Sequence, residues 1–210
     1  MKLTKALLAV AALAITVLPL IAAATDIVCA LGTETAAYKE SQDEKPRDMT
    51  NIIRRVDDAF RPFCLPKCPQ AAMLRNATAP NLMMLSTVEG AKLVYSPQFF
   101  AAVYGKYGEG GLFALMAHVY GHAIDETTPS HWIPSNWNRE LRADAWAGCA
   151  VAKTGLSAND LAAAFGAMSA YPPPSQAVWS RRVPSVRLGF THCGGEAVKF
   201  DAALGGIKSK

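Results

Sequence analysis

The sequence predicts an α+β domain, predominantly helical, with a small sheet or hairpin beside a central helix. Three observations carry this. Apolar residues recur at helical spacing in several separate blocks. One stretch, residues 82–95, reads as two short strands around a turn at Gly90. Proline and glycine punctuate the chain between these blocks.

The first 24 residues read as a signal peptide rather than as part of the folded unit. Lys2 and Lys5 give a positive start, and an almost unbroken apolar run follows from Ala6 to Ala24. Ala22 and Ala24 supply the small residues of a cleavage site. The run is also long enough to span a bilayer if retained, but its small-residue end favours cleavage. Cys29 follows Val28, not a small residue, which argues against a lipid anchor. No later segment reaches membrane-spanning length, so export to a periplasmic or extracellular space is expected. Residues 25–48 are polar and mixed, and read as a flexible, extended lead-in. Residues 49–210 then form one domain, expected to be monomeric and large enough to bury a core.

A helix is expected from Asp48 to Phe60, with Ile52, Ile53, Val56 and Phe60 on one side. Pro62, Pro66 and Pro69 mark the loop that carries Cys64 and Cys68. After the two strands, Ser96-Pro97 is a helix start, with serine as N-cap and proline in the first turn. That helix runs to Tyr104, and glycines 105, 108, 110 and 111 separate it from the central helix, Leu112 to Ile124. A loop over 127–137 leads to a helix from Arg139 to Lys153, closed by Gly155. Ser157 caps another through Met168, stopped by Pro172-Pro173-Pro174. Short helices broken by Pro184, a Cys193-Gly-Gly turn and a small C-terminal helix complete the chain.

The formal net charge is +4, two of it from Lys2 and Lys5. That is too weak and too dispersed for a nucleic-acid partner. Arg181, Arg182 and Arg187 read as a solvated or salt-bridging helix face. All five cysteines follow the apolar run, so an oxidising compartment permits disulfides, and the odd count leaves one thiol over. Cys64 and Cys68 read as a local disulfide, or as halves of two separate bridges; a metal half-site would need a second pair that is missing.

Two of the four histidines stand as His118-Val-Tyr-Gly-His122 on the central helix. Four residues apart, they lie one turn above each other and can share one Zn²⁺. A hydrogen-bonded histidine pair in a packed core would show the same spacing. The next helix adds Glu140 and Asp144, again one turn apart, among Ala143, Ala145, Trp146, Ala147, Gly148, Cys149, Ala150 and Val151. A helix that apolar is expected to be buried, and buried paired carboxylates call for a cation or partner. Glu140 is thus the expected third metal ligand, and Asp144 the acceptor that orients a ligating histidine. Glu126 offers a competing set with His118 and His122, but three ligands on one straight stripe converge poorly on a tetrahedral ion. His131 and His192 read as surface residues.

Ala117-His-Val-Tyr-Gly-His122 resembles the A-H-E-x-G-H helix of the gluzincin-type zinc metallopeptidases that include the CAAX prenyl proteases and the soluble minigluzincins. Glu140-Leu-Arg-Ala-Asp144-Ala-Trp-Ala-Gly148 is similar to their second signature, E-x-x-A-D before a small-residue packing helix. Leu93-Val-Tyr-Ser-Pro-Gln-Phe-Phe100 resembles the strand and helix that lead into the site. The likeness covers roughly residues 80–190. It implies a zincin-like domain, Zn²⁺ held by His118, His122 and Glu140, and Asp144 in support. It also implies an edge strand within 82–95, along which a peptide or protein ligand could add by backbone pairing. Cys149 on the packing helix and Cys193, just past the likeness, are the preferred long-range disulfide.

Two departures bear on activity. Val119 stands where the family has the glutamate that takes and returns a proton, help worth roughly 10²–10⁴ in rate. Tyr171 precedes Pro172 where soluble relatives often carry histidine, and is at most an oxyanion donor. The resemblance therefore implies a metal-binding protein with impaired or lost peptide hydrolysis, a pseudoenzyme. An active peptidase with an unusual proton path and a metal-free envelope binding protein are the alternatives.

Overall fold

The computed structural model describes residues 26–32, 38–47, 50–87, 90–175 and 178–207. The expected signal peptide, residues 1–24, lies outside them. The architecture is α+β and predominantly helical, with six α-helices and one four-stranded sheet among the described residues. In chain order these are β1 (Asp26–Ala30), α1 (Thr50–Cys64), β2 (Ala71–Arg75), β3 (Leu82–Thr87), β4 (Gly90–Tyr95), α2 (Pro97–Thr127), α3 (Arg139–Lys153), α4 (Ala158–Ala170), α5 (Trp179–His192) and α6 (Ala197–Gly205). No described helix is long and apolar enough to cross a membrane.

The sheet runs β1-β3-β4-β2. β3 pairs antiparallel with β1 on one side and β4 on the other, while β2 lies parallel to β4. Residues 82–95 therefore form the centre of the sheet, not an edge as the family resemblance implied. The two edges come from segments whose composition hides them. β2 is a short Ala-Ala-Met-Leu-Arg run behind prolines, and β1 belongs to the stretch expected to be a flexible lead-in. Side chains alternate across the strands. Leu82, Met84, Leu93 and Tyr95 join the main core, whereas Met83, Leu85 and Val94 form a smaller cluster on the opposite face. Burial on both faces explains why β3 reads as an unbroken apolar run.

The two helices expected on either side of the glycine cluster form one long element, α2, bent at Gly108, whose φ of 59° departs from helical geometry. Ser96 caps it, its Oγ accepting from the Phe99 N–H at 3.4 Å. Every residue from Gly110 to Ile124 is buried, so this half of α2 is enclosed on all sides. The sheet, α1, α3 and α4 enclose it. A helix so enclosed needs small residues where neighbours press closest. At Gly121 a Cβ would meet the Ala143 carbonyl oxygen at 3.0 Å and the Trp146 Cβ at 3.1 Å. At Gly189, on α5, a Cβ would fall 1.7 Å from the Ala145 carbonyl oxygen. The first brings α3 against the histidine turn, and the second brings α5 against α3.

Two disulfides fasten this arrangement. Cys64 joins Cys68 at the end of α1, and Cys149 on α3 joins Cys193 just after α5. Cys29 is the one free cysteine, and it is buried.

Candidate metal centre

The centre assembles from three elements. α2 carries His118 and His122 on adjacent turns, their rings 5.3 Å apart between centroids. α3 carries Glu140 in its first turn, behind an N-cap formed by Asn138, which accepts from the Leu141 N–H at 2.9 Å. β1 carries Cys29, set opposite Met84 of β3 and so on the face of the sheet that looks toward α2.

Four donor atoms, one each from Cys29, His118, His122 and Glu140, lie within 4.8 Å of one another. Glu140 Oε2 stands 3.2 Å from His118 Nε2 and 3.5 Å from His122 Nε2. Cys29 Sγ lies 3.9 Å from His118 Nε2. Donors each about 2.0–2.1 Å from a shared tetrahedral ion are separated by roughly 3.3 Å, and a sulfur–nitrogen pair by roughly 3.6 Å. The two Glu140 spacings and the Cys29–His118 spacing lie near those values, while the set as a whole spans up to 4.8 Å, so a bound ion would draw the four donors closer together. Neither approach of Glu140 to a ring has hydrogen-bond geometry: His122 Nε2 and Glu140 Oε2 are buried with no hydrogen-bond partner. Atoms this close with no hydrogen bond between them are placed where one cation could serve both. Left unsatisfied, each would cost about 1–3 kcal/mol; a bound cation would satisfy both.

The outer ring supports this geometry. His118 Nδ1 lies 2.9 Å from Asp144 Oδ1. That contact places the Nδ1 proton toward the carboxylate and would leave Nε2 free to hold a metal ion. Asp144 is itself fully buried, and Arg182 meets it with Nε at 2.9 Å from Oδ2 and Nη2 at 2.8 Å from Oδ1. The same guanidinium donates through Nη1 to the Met168 carbonyl at 2.6 Å. Arg182 is thus not part of a solvated face, as its sequence neighbourhood suggested, but the buried counter-ion of Asp144. Arg187 does lie on the surface, paired with Asp201 at 2.9 Å.

Charge follows from this packing. Burial alone would push the His118 and His122 pKa values down, but the carboxylates and the Cys29 thiol around them raise both. Burial would likewise raise Cys29 and Glu140, yet the two imidazoles hold the thiol below its ordinary value and the carboxyl well below its own. The centre without a metal therefore favours thiolate and carboxylate facing charged imidazoles, whose protons a bound cation would replace. Two neutral imidazoles with those two anions balance a divalent cation, and Arg182 balances Asp144, so the filled core would carry no net charge.

The other candidate residues lie elsewhere. Val119 is fully buried in apolar core. Asp125 is taken up by Arg142 at 2.6 Å, Trp146 at 3.0 Å and Ser130 at 3.0 Å. Glu126 pairs with Arg139 at the surface, 2.9 Å away, so the stripe through Glu126 does not form. Tyr171 packs edge-on against Phe99 and Tyr107, in the half of α2 that precedes the histidines. His131 is exposed, and His192 stacks on Trp132 with ring centroids 4.4 Å apart.

Cys29 is the donor that sequence reasoning missed. Its only trace was the odd cysteine count, since nothing in residues 25–48 shows a strand that returns to α2. No family model, curated protein or solved structure matches the chain, so the reading of this centre rests on its own geometry.

Proposed function

We propose that this protein is an exported zinc-binding protein on a metallopeptidase-like scaffold, with peptide hydrolysis impaired or lost. The observation that carries the proposal is the convergence of Cys29, His118, His122 and Glu140, with two of their buried polar atoms unpartnered. A mixed thiolate, imidazole and carboxylate set favours zinc over magnesium or calcium, which prefer all-oxygen shells. Bound there, zinc would neutralise the buried anions and tie β1, α2 and α3 together.

Weak or absent hydrolysis follows from the surrounding residues. Val119 offers no proton acceptor beside His118. The nearest carboxylates on α2, Asp125 and Glu126, are held by Arg142 and Arg139. A fourth protein donor also closes the coordination position at which a catalytic site keeps water. Export is supported by the apolar N-terminal run and by two disulfides, which persist in oxidising compartments.

The test is the zinc content of the protein purified after export, beside its Glu140→Ala variant. About one zinc per chain is expected in the parent and much weaker retention in the variant. Zinc-loaded parent should cleave an unstructured peptide mixture no faster than the variant. Absence of zinc from both, after reconstitution without reductant, would overturn the proposal; cleavage lost only in the variant would make the protein a working peptidase.

A further inference from the structure

Peptide hydrolysis does not call for a thiolate sealed from solvent beside two imidazoles, yet the centre is built around one. Cys29, His118 and His122 are 3%, 1% and 2% exposed. Two imidazoles and one thiolate, with a weaker fourth ligand, are the donor set of copper electron-transfer sites. Here Glu140 supplies the fourth donor, an oxygen 3.2 and 3.5 Å from the two ring nitrogens. Divalent copper also binds a given set of nitrogen, oxygen and sulfur donors more tightly than zinc does.

Affinity alone would not suffice, because Cu(II) ordinarily oxidises thiols: two Cu(II)–thiolate groups yield two Cu(I) and one disulfide. This chain blocks that route twice. The other four cysteines are already joined, Cys64 to Cys68 and Cys149 to Cys193, so Cys29 has no partner thiol within the chain. Its burial keeps the thiolate of a second chain away. Four protein donors also leave no coordination position for water or dioxygen. The donor positions are set by packing as well as by the ion. α2 and α3 press together at Gly121, and Asp144, fixed by Arg182, holds the His118 ring. A frame held in this way changes little between the two charge states of a copper ion.

We propose that this centre takes copper as well as zinc, holds Cu(II) on the Cys29 thiolate without consuming it, and exchanges single electrons with an outer-sphere donor. On reduction one electron passes from the donor to Cu(II), giving Cu(I); no bond of the chain breaks, and the balance requires no proton. The inference rests on the metal-binding part of the proposed function. Glu140, an anionic oxygen donor, favours Cu(II) over Cu(I) and so sets the potential lower than a neutral fourth ligand would.

The experiment titrates Cu²⁺ into the exported full chain, freed of metal by a chelator without reductant. About one copper per chain is expected, with an intense visible thiolate-to-copper charge-transfer band. Resonance Raman excitation into that band, on the parent itself, should enhance a copper–sulfur stretch. The Cys29→Ser variant should lose the band and keep the far-ultraviolet dichroism of the parent. The His131→Ala/His192→Ala variant, which removes the two exposed histidines, should retain the band. Ascorbate should bleach it and ferricyanide restore it, at one electron per copper, and alkylation after denaturation should recover the Cys29 thiol intact. The Glu140→Gln variant should have a more positive potential than the parent.

Copper bound by the parent without a copper–sulfur stretch, or a band unchanged in Cys29→Ser, would overturn the assignment. Conversion of Cys29 to an inter-chain disulfide on addition of Cu²⁺, or bleaching that ferricyanide does not reverse, would overturn the redox role. A chain that binds zinc but not copper would overturn this inference alone. A chain that binds neither would instead remove the metal-binding reading, so the two failures are distinguishable.

Discussion

Replacing Arg182 with methionine tests the buried chain that runs from α5 to the candidate metal ligand His118. Asp144 has no exposed surface and receives two N–H groups from Arg182, at 2.9 and 2.8 Å, besides its contact with His118. Methionine keeps much of the apolar stem and removes both donors together with the compensating charge. Stripping one partner from a buried ion pair costs about 3–5 kcal/mol, a large share of a typical domain's stability of about 5–15 kcal/mol. The Met168 carbonyl loses its guanidinium donor as well. Urea unfolding of the metal-free protein should therefore show a midpoint far below that of the parent with an unchanged slope. Zinc affinity, read by chelator competition, should fall roughly 10–100-fold, because Asp144 no longer orients His118. The double variant Asp144→Leu/Arg182→Met should regain much of the stability, since an apolar pair can replace a buried ionic one. It should not regain the affinity. A loss under about 1 kcal/mol for the single variant, as expected of an exposed pair, would refute the reasoning. So would a double variant no more stable than the single one.

Two further outcomes follow from the same packing. Removing Cys149–Cys193 by alanine substitution at both positions should cost about 4 kcal/mol by chain entropy, from a separation of 44 residues, while the equivalent removal of Cys64–Cys68, separated by 4, should cost about 2 kcal/mol; equal losses in urea would show that loop length is not the governing quantity. Asp125 should make the fold acid-sensitive: burial would raise its pKa, but hydrogen bonds from Arg142, Trp146 and Ser130 lower it below 3.8. A depressed carboxyl stabilises above its ordinary value and loses that contribution as pH falls through the folded one. Asp125→Asn should thus be less stable than the parent at neutral pH, with the gap closing only below pH 3.8; a gap that does not change with pH would show that charge at Asp125 is not the cause.

Helix existence was legible because it depends on local chemistry. The Ser96-Pro97 start, the Ser157 cap and the 3.6-residue apolar period all act within a few residues of one another. The same locality placed His118 and His122 on one face, and Glu140 and Asp144 on another. Strand β1 was illegible because pairing with β3 involves residues some sixty positions away, and a five-residue strand carries little pattern of its own. For the same reason the order of the sheet, and with it the central place of residues 82–95, could not be read from the strands alone.

By itself the sequence determined where helices form, though not that two of them run on as α2, together with the His118/His122 and Glu140/Asp144 pairs and the residue that stands beside His118. Each of these is a matter of spacing along one element. Only the tertiary structure decided that Cys29 completes the donor set, that Arg182 neutralises Asp144, and that Asp125 and Glu126 are engaged elsewhere. Those outcomes depend on which elements approach closely enough to exclude water. Glycine at 121 and 189 permits that approach for α2 with α3 and for α3 with α5. Once water is excluded, a buried charge must find its partner across the fold, however far apart the two lie in the chain.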